Sequence, residues 1–398
     1  MALHTRWSFR VLSLVIVTEL LLLAGCSQPT SAPMQAAATT QPAAPRAKNV
    51  IVLIGDGMGL DHVRATDLYF GGQLSFEKFP YRAECTTYSA NSNGGATDSA
   101  AAATAIATGH KVNNGVVSVA TPGDGKELQT MLERAKQRGK MTGLVTTVPI
   151  THATPACFGG HTASRSGENE IAECMLTRTR PNVLFGSAYL DKGVSDNPQA
   201  IAKGALSASK AGYAVVTNRA QLQALNTEAG SDMHISGQFG EGQLPPEKDG
   251  NYKPLPHLSE MSRTALNILD NDPDGFFLMI EGGTIDWAAH AMDLKGVVFE
   301  TREFGNTVQA VLDWAKGRDD TLIIVTADHN TGGIRVLDKP STPGQLPAVE
   351  WTATHDANNH YDHSPANVGI WATGPGASAL AAKKVWDNTD FFRLTDVP

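Results

Sequence analysis

Asn49-Val50-Ile51-Val52-Leu53-Ile54, followed at once by Gly55-Asp56-Gly57, is the stretch on which the fold turns. A short, continuous apolar run rich in Val and Ile and closed by glycines reads as a strand covered on both faces. Met141 to Val148 (MTGLVTTV), Gly275 to Ile280 (GFFLMI) and Thr321 to Thr326 (TLIIVT) repeat the signal. Asn182 to Gly186, Tyr213 to Thr217 and Asn367 to Thr373 carry it more weakly. Helical stretches such as Asp98 to Ala107 and Phe299 to Trp314 lie between them. This alternation predicts an α/β fold: a three-layer sandwich with a large, mostly parallel central sheet and helices on both faces. Residues 340–361 lack periodicity and read as a short irregular surface insertion.

The residues just beyond the strands carry the chemistry. NVIVLI leads to Asp56, GFFLMI to Glu281-Gly282-Gly283, TLIIVT to Asp328-His329, and MTGLVTTV to Thr151-His152-Ala153-Thr154. Ligands of open α/β sheets bind beyond the carboxyl ends of the strands. Each acid alone is commonly a helix cap or a turn residue. Several converging there would repel one another unless cations held them. Asp286 and His290 stand four apart, so on a helix they share a face and can reach one metal; an exposed helical pair is the plainer alternative. Asp328 and His329 are adjacent where a strand gives way to a loop. Carboxylate and imidazole suit zinc, and carboxylates with a hydroxyl suit magnesium.

Gly94-Gly95-Ala96-Thr97-Asp98-Ser99-Ala100 precedes an alanine-rich helix, with Thr97 or Asp98 as its natural cap. Ser99 then sits at a helix amino terminus, where free N–H groups and the dipole favour a phosphate. A cap serine in an ordinary helix is the competing reading.

The chain has 398 residues, 41% hydrophobic and 18% charged, enough for one large domain or two small ones without disulfides. A formal net charge of -8 with no basic run argues against nucleic acid as a specific partner. Arg6 and Arg10 precede an apolar stretch, Val11 to Leu23, that suits a signal peptide better than a membrane span. It ends in Leu23-Ala24-Gly25-Cys26, which resembles a bacterial lipobox. Residues 1–25 are therefore expected to be a lipoprotein signal peptide, with lipid on Cys26 anchoring the chain to a membrane. Glu19 inside the apolar core departs from that pattern, and an ordinary signal peptide cut nearby is the alternative. Residues 26–47, with the lipidated cysteine and much Ala, Pro, Thr, Ser and Gln, read as a disordered tether. Residues 48–398 are expected to form the domain that carries the chemistry. Either reading places that domain outside the cytoplasm; Ser27 favours the periplasmic face of an outer membrane. Disulfides are permitted there, and Cys157–Cys174 is the candidate bridge, with Cys85 left over.

GDGMG, TDSAAAATA, THATPA with HTASR, IEGGTIDWAAH and TADHNTGG together resemble the alkaline phosphatases, in the family order and over nearly the whole chain from residue 48. The resemblance implies a first zinc held by Asp286, His290 and His363, and a second held by Asp56, Asp328 and His329. It implies a third site, usually magnesium, of Asp56, Thr154 and Glu281, giving two Zn2+ and one Mg2+ per chain. His355 and His360 lie close to His363 and compete with it for the first site. Arg165 is implied as the phosphate clamp and Ser99 as the nucleophile that forms a phosphoserine intermediate. The substrates implied are small phosphate monoesters; homodimers are common in the family, but no interface is legible. His152 and Trp287 stand where a well-studied bacterial form has Asp and Lys, which implies weaker phosphate retention here. His152 is expected either to offer zinc a ligand at the third site or to hydrogen-bond a metal-bound water.

Two rival readings remain at this level. A related sulfatase would need a Cys-x-Pro-x-Arg or Ser-x-Pro-x-Arg segment, which Asp98-Ser99-Ala100-Ala101 does not match, and related diesterases generally use threonine. A phosphate-binding lipoprotein without activity would have no reason to keep the nucleophile and every ligand.

Overall fold

The computed structural model describes residues 47–188, 198–228, 230, 232–355 and 362–396. These all belong to one unit, Ala44–Pro398. The expected signal peptide, the lipidated Cys26 and the tether up to residue 46 lie outside the described residues, as does His360.

The strong apolar runs form the middle of the sheet. In chain order the strands are β1 (Asn49–Gly55), β2 (Tyr81–Thr86), β3 (Met141–Pro149), β4 (Val183–Ala188), β5 (Ala214–Val216), β6 (Ile235–Glu241) and β7 (Phe276–Gly282). They continue as β8 (Thr321–Thr326), β9 (Asn330–Thr331), β10 (Ile334–Val336), β11 (Val349–Trp351), β12 (His363–Ser364), β13 (Val368–Thr373) and β14 (Val385–Asp387). Ten of them make one sheet in the order β14-β2-β13-β8-β1-β7-β3-β4-β6-β5. Every pairing in it is parallel except those of β13, which runs antiparallel to β2 and β8. The expected mostly parallel α/β sheet is the one observed.

β1, β7 and β8 are buried at every residue, so both faces of the sheet are covered there. Phe276 and Phe277 show what covers them, because successive strand residues point to opposite faces. Phe277 stacks on Phe158 of helix Ala153–Gly159, with ring centroids 5.9 Å apart, and Phe276 meets Trp314 of helix Leu294–Trp314 at 5.5 Å.

β2, β6 and β14 gave no clear signal in the sequence. β2 interleaves Arg82 and Glu84 with its apolar residues and is only partly buried. β6 is glycine-interrupted: Gly237 lies where a Cβ would come within 2.8 Å of the Phe185 and Phe239 rings. Segment 340–361, read as irregular, holds β11, which pairs antiparallel with β10. The Cys157–Cys174 bridge is not formed. Cys85, Cys157 and Cys174 are all buried free thiols, and the Cys157 Sγ donates to the Ala100 carbonyl at 3.1 Å. No helix among the described residues is long and apolar enough to cross a membrane.

Candidate active site

The three acid-tipped strands are neighbours. β1 lies between β7 and β8, with Ile54 opposite both Glu281 and Thr326. Asp56 and Asp328-His329 therefore leave adjacent strand ends, beside Glu281 near the end of β7. Helix Thr284–His290 begins directly after β7 and carries Asp286 and His290. His363 arrives by a different route. In β12 it pairs antiparallel with Thr331 of β9, two residues beyond His329. His355 joins none of the ligand clusters found among the described residues.

The side chains gather in three overlapping groups. Asp286, His290 and His363 form the first. The His290 Nε2 is 3.3 Å from an Asp286 oxygen, and the His363 Nε2 is 3.6 Å from the other. The His363 Nδ1 hydrogen-bonds the Thr97 carbonyl at 2.6 Å; a carbonyl only accepts, so Nδ1 carries a proton, and Nε2 is the nitrogen turned to the group. In the second group, the His329 Nε2 is 3.3 Å from Asp56, 3.1 Å from Asp328 and 3.1 Å from the Ser99 Oγ. One Asp328 oxygen accepts from the backbone N–H groups of Gly57 and His329, at 3.0 and 2.9 Å. Its other oxygen is buried without a hydrogen-bond partner. Asp56, Glu281 and His152 make the third group, around which the Thr154 hydroxyl, both Asp56 oxygens and one Glu281 oxygen are also buried and unpartnered.

Electrostatics reflect this crowding. Burial, and then the charges of Asp328, Asp286 and Glu281, raise Asp56 well above the usual carboxylate range. Burial likewise pushes Glu281 up to about 7. Burial acts on Asp286 in the same sense, but hydrogen bonds from His290 and His363 outweigh it and hold that carboxyl well below its usual range. Orphaned buried oxygens on mutually repelling carboxylates, next to imidazole nitrogens, are the donor set that divalent cations satisfy.

Ser99 is the first residue of helix Ser99–Thr108 and is buried. Asp98 caps that helix through the Ala101 N–H at 2.9 Å, and its second oxygen accepts from Arg165 at 3.1 Å. Arg165 also donates to the His152 Nε2 at 3.1 Å. Guanidinium cannot accept, so His152 carries its proton on Nδ1. Burial, then Arg165, lowers His152 to about 3 and keeps it neutral. Trp287 stands edge-on to His152, with centroids 5.8 Å apart.

Sequence reasoning missed Thr331, whose hydroxyl hydrogen-bonds Asp286 and lies 3.1 Å from the His329 Nδ1, tying two groups together. It missed Thr146, which donates to Glu281 from β3, and the hold of Asp98 on Arg165. Thr331 sits two residues after His329 and was visible as a hydroxyl, but nothing local signals its partners.

The family model for alkaline phosphatase matches residues 47–365. Alkaline phosphatase 3 of Bacillus subtilis is 39% identical over 301 residues, covering 73% of this chain and 62% of that relative. The chain thus spans less than two thirds of that protein's length. Streptomycin-6-phosphate phosphatase of Streptomyces griseus is 33% identical over 91% of this chain and 92% of its own. Among solved structures, a histidine-to-aspartate mutant of TAB5 alkaline phosphatase with Mg bound in its M3 site superposes with a TM-score of 0.73. It shares 26% identity and covers 89% of this chain and 98% of that one. The chain belongs to the alkaline phosphatase family.

Gly57 provides a test of the site's packing. Its φ is +68°, and a Cβ there would lie 2.5 Å from the Thr331 hydroxyl and 2.9 Å from Asp286. A left-handed alanine costs about 1–2 kcal/mol before that clash is counted. Gly57→Ala is expected to fold, since the collision is with side chains, but to displace Asp286 and Thr331. Metal content by elemental analysis should fall by about one ion per chain; full occupancy would show that the pocket accommodates the methyl.

Proposed function

We propose that this chain hydrolyses phosphate monoesters through a phosphoserine intermediate on Ser99. The observation that carries the reading is the position of the Ser99 Oγ. It lies at a helix amino terminus and 3.1 Å from the His329 Nε2 of a carboxylate–imidazole group, while Asp98, the residue before it, holds Arg165. Two zinc ions would be held by Asp286, His290 and His363 and by Asp56, Asp328 and His329, and a magnesium ion by Asp56, Thr154 and Glu281. When bound, such ions neutralise the buried carboxylates and stabilise charge on the attacking and departing oxygens. The magnesium in the M3 site of the TAB5 mutant supports a third position of this kind.

The chain's own groups then divide the work. Arg165, its guanidinium oriented by Asp98, grips two phosphoryl oxygens at once. The first-turn N–H groups of helix Ser99–Thr108 face the same charge. Ser99 attacks phosphorus, the P–O bond to the alcohol breaks, and the alcohol leaves with a proton. Water then attacks the phosphoserine, breaks the Ser99–phosphorus bond and regenerates the hydroxyl as phosphate departs. His152, with its proton on Nδ1 while Arg165 occupies Nε2, acts in the third group as a donor to an oxygen rather than as a ligand.

Ser99→Ala should lower turnover of a chromogenic phosphate monoester at least about a thousand-fold while leaving metal content intact. Near-normal turnover by folded, metal-loaded Ser99→Ala would remove the serine from the mechanism. Parallel assays on a phosphate diester and a sulfate ester separate the related activities.

Trp287 offers one N–H and no charge beside His152. Trp287→Lys is expected to tighten product inhibition by phosphate several-fold and to slow turnover, because a second cation then holds the dianion. An unchanged inhibition constant would show that position 287 does not sense the phosphate.

Export with a lipid on Cys26 belongs to the same reading. The parent chain should incorporate labelled palmitate in a bacterial host and partition to membranes, and Cys26→Ser should do neither; no label in the parent rejects the anchor.

A further inference from the structure

Glu247, His257 and Glu303 form a further ligand cluster among the described residues, and it shares no residue with the three groups at the strand ends. Its members come from three elements. Glu247 opens the short helix Glu247–Asp249, His257 is the residue before helix Leu258–Leu269, and Glu303 lies within helix Leu294–Trp314. The His257 Nδ1 is 2.9 Å from one Glu247 oxygen and 3.1 Å from the other. One donor atom from each of the three residues falls within 4.8 Å of the others. A tetrahedral zinc with bonds of about 2.0–2.2 Å holds its ligands roughly 3.4 Å apart, so side-chain movements of about an ångström close the group on an ion.

Two observations point to a cation there. The first is unbalanced charge. Glu300 and Glu303, one turn apart on the long helix, are both buried, and the Glu247 side chain is only 11% exposed. Among the described residues, the one ion pair these three acids make is Glu247 with His257; neighbouring Glu260 is taken by Arg219. Burial, together with the charges of Glu247 and Glu303, pushes Glu300 up to about 7. The second observation is Tyr252. Its ring lies flat on His257, with centroids 4.0 Å apart and planes 17° from parallel. The residue is 2% exposed, and its hydroxyl is buried without a hydrogen-bond partner. That hydroxyl stands beside Glu247 but outside hydrogen-bonding geometry; burial, and then the charges of Glu247 and Glu300, raise its proton affinity. A buried hydroxyl left unpartnered is costly, and a metal-bound water satisfies it.

We infer that Glu247, His257 and Glu303 bind one zinc ion, with water in the fourth position hydrogen-bonded to Tyr252. One imidazole with two carboxylates suits zinc, whereas calcium and magnesium take all-oxygen sets. The supporting contacts already orient the donors. Glu303 accepts from the Ser259 N–H at 2.9 Å and from the Asn306 amide at 3.0 Å, which leaves a lone pair on each oxygen. The ion offsets the excess of carboxylates, and it staples the segment between β6 and helix Leu258–Leu269 to the long helix Leu294–Trp314. Its role is structural, apart from the turnover of substrate.

The test is a zinc count on the full chain, equilibrated with zinc and magnesium and freed of loosely held metal by gel filtration. His257→Asn, which keeps a good helix cap, and Glu303→Gln should each carry about one zinc ion fewer per chain than the parent, with turnover of a chromogenic phosphate monoester changed by less than about two-fold. Tyr252→Phe should keep the ion but lower its affinity about ten-fold in a chelator competition. Equal zinc content in the parent and both ligand variants would overturn the site. The count stands whether or not the proposed reaction does. A second measurement needs no variant: zinc-edge anomalous diffraction from crystals of the parent chain grown with zinc. A peak between Glu247, His257 and Glu303 is expected, and its absence overturns the site.

Discussion

Four carboxylates, Asp56, Glu281, Asp286 and Asp328, are buried within one small region at the ends of adjacent strands, and the rest of the site is organised around their mutual repulsion. In water such charges would be screened; here the nearest relief is imidazole, hydroxyl or cation. The raised proton affinity of Asp56 and Glu281 expresses that strain. Asp286 escapes it only because two histidines face it. Divalent cations resolve the same conflict without protonation, which is why the donor set reads as a metal centre before any ion is considered.

The surroundings fix each donor in one orientation. The Thr97 carbonyl holds the Nδ1 proton of His363, Thr331 ties Asp286 to His329, and two backbone N–H groups occupy one oxygen of Asp328. Arg165 is stretched between Asp98 and His152. Because Asp98 also caps the helix that begins at Ser99, the proposed nucleophile Ser99 and the proposed phosphate clamp Arg165 are referenced to one side chain. Such locked supporting contacts are what hold a reactive geometry within a fraction of an ångström.

Much of this was readable along the chain. Continuous Val/Ile-rich runs bounded by glycines favour strands covered on both faces, so the central sheet followed from hydrophobic burial. The acids after those strands, the i, i+4 pair Asp286/His290 and the alanine-rich helix behind Ser99 are local patterns, and local physics makes them legible. β2, β6 and β14 were not legible, because charged residues, glycines or shortness dilute their apolar signal.

Sequence by itself determined which residue types stand at strand ends and helix starts, since periodicity and capping depend on near neighbours. Tertiary structure alone decided which of those ends meet. Strand order puts β1 between β7 and β8, and only that adjacency merges three separate acids into one field. It selected His363 through a two-residue pairing with Asn330–Thr331 that no spacing rule encodes. It left Cys157 and Cys174 apart, with one thiol turned to a helix carbonyl. Contacts between residues hundreds of positions apart are set by the packing of whole layers, and a linear pattern carries no record of that packing.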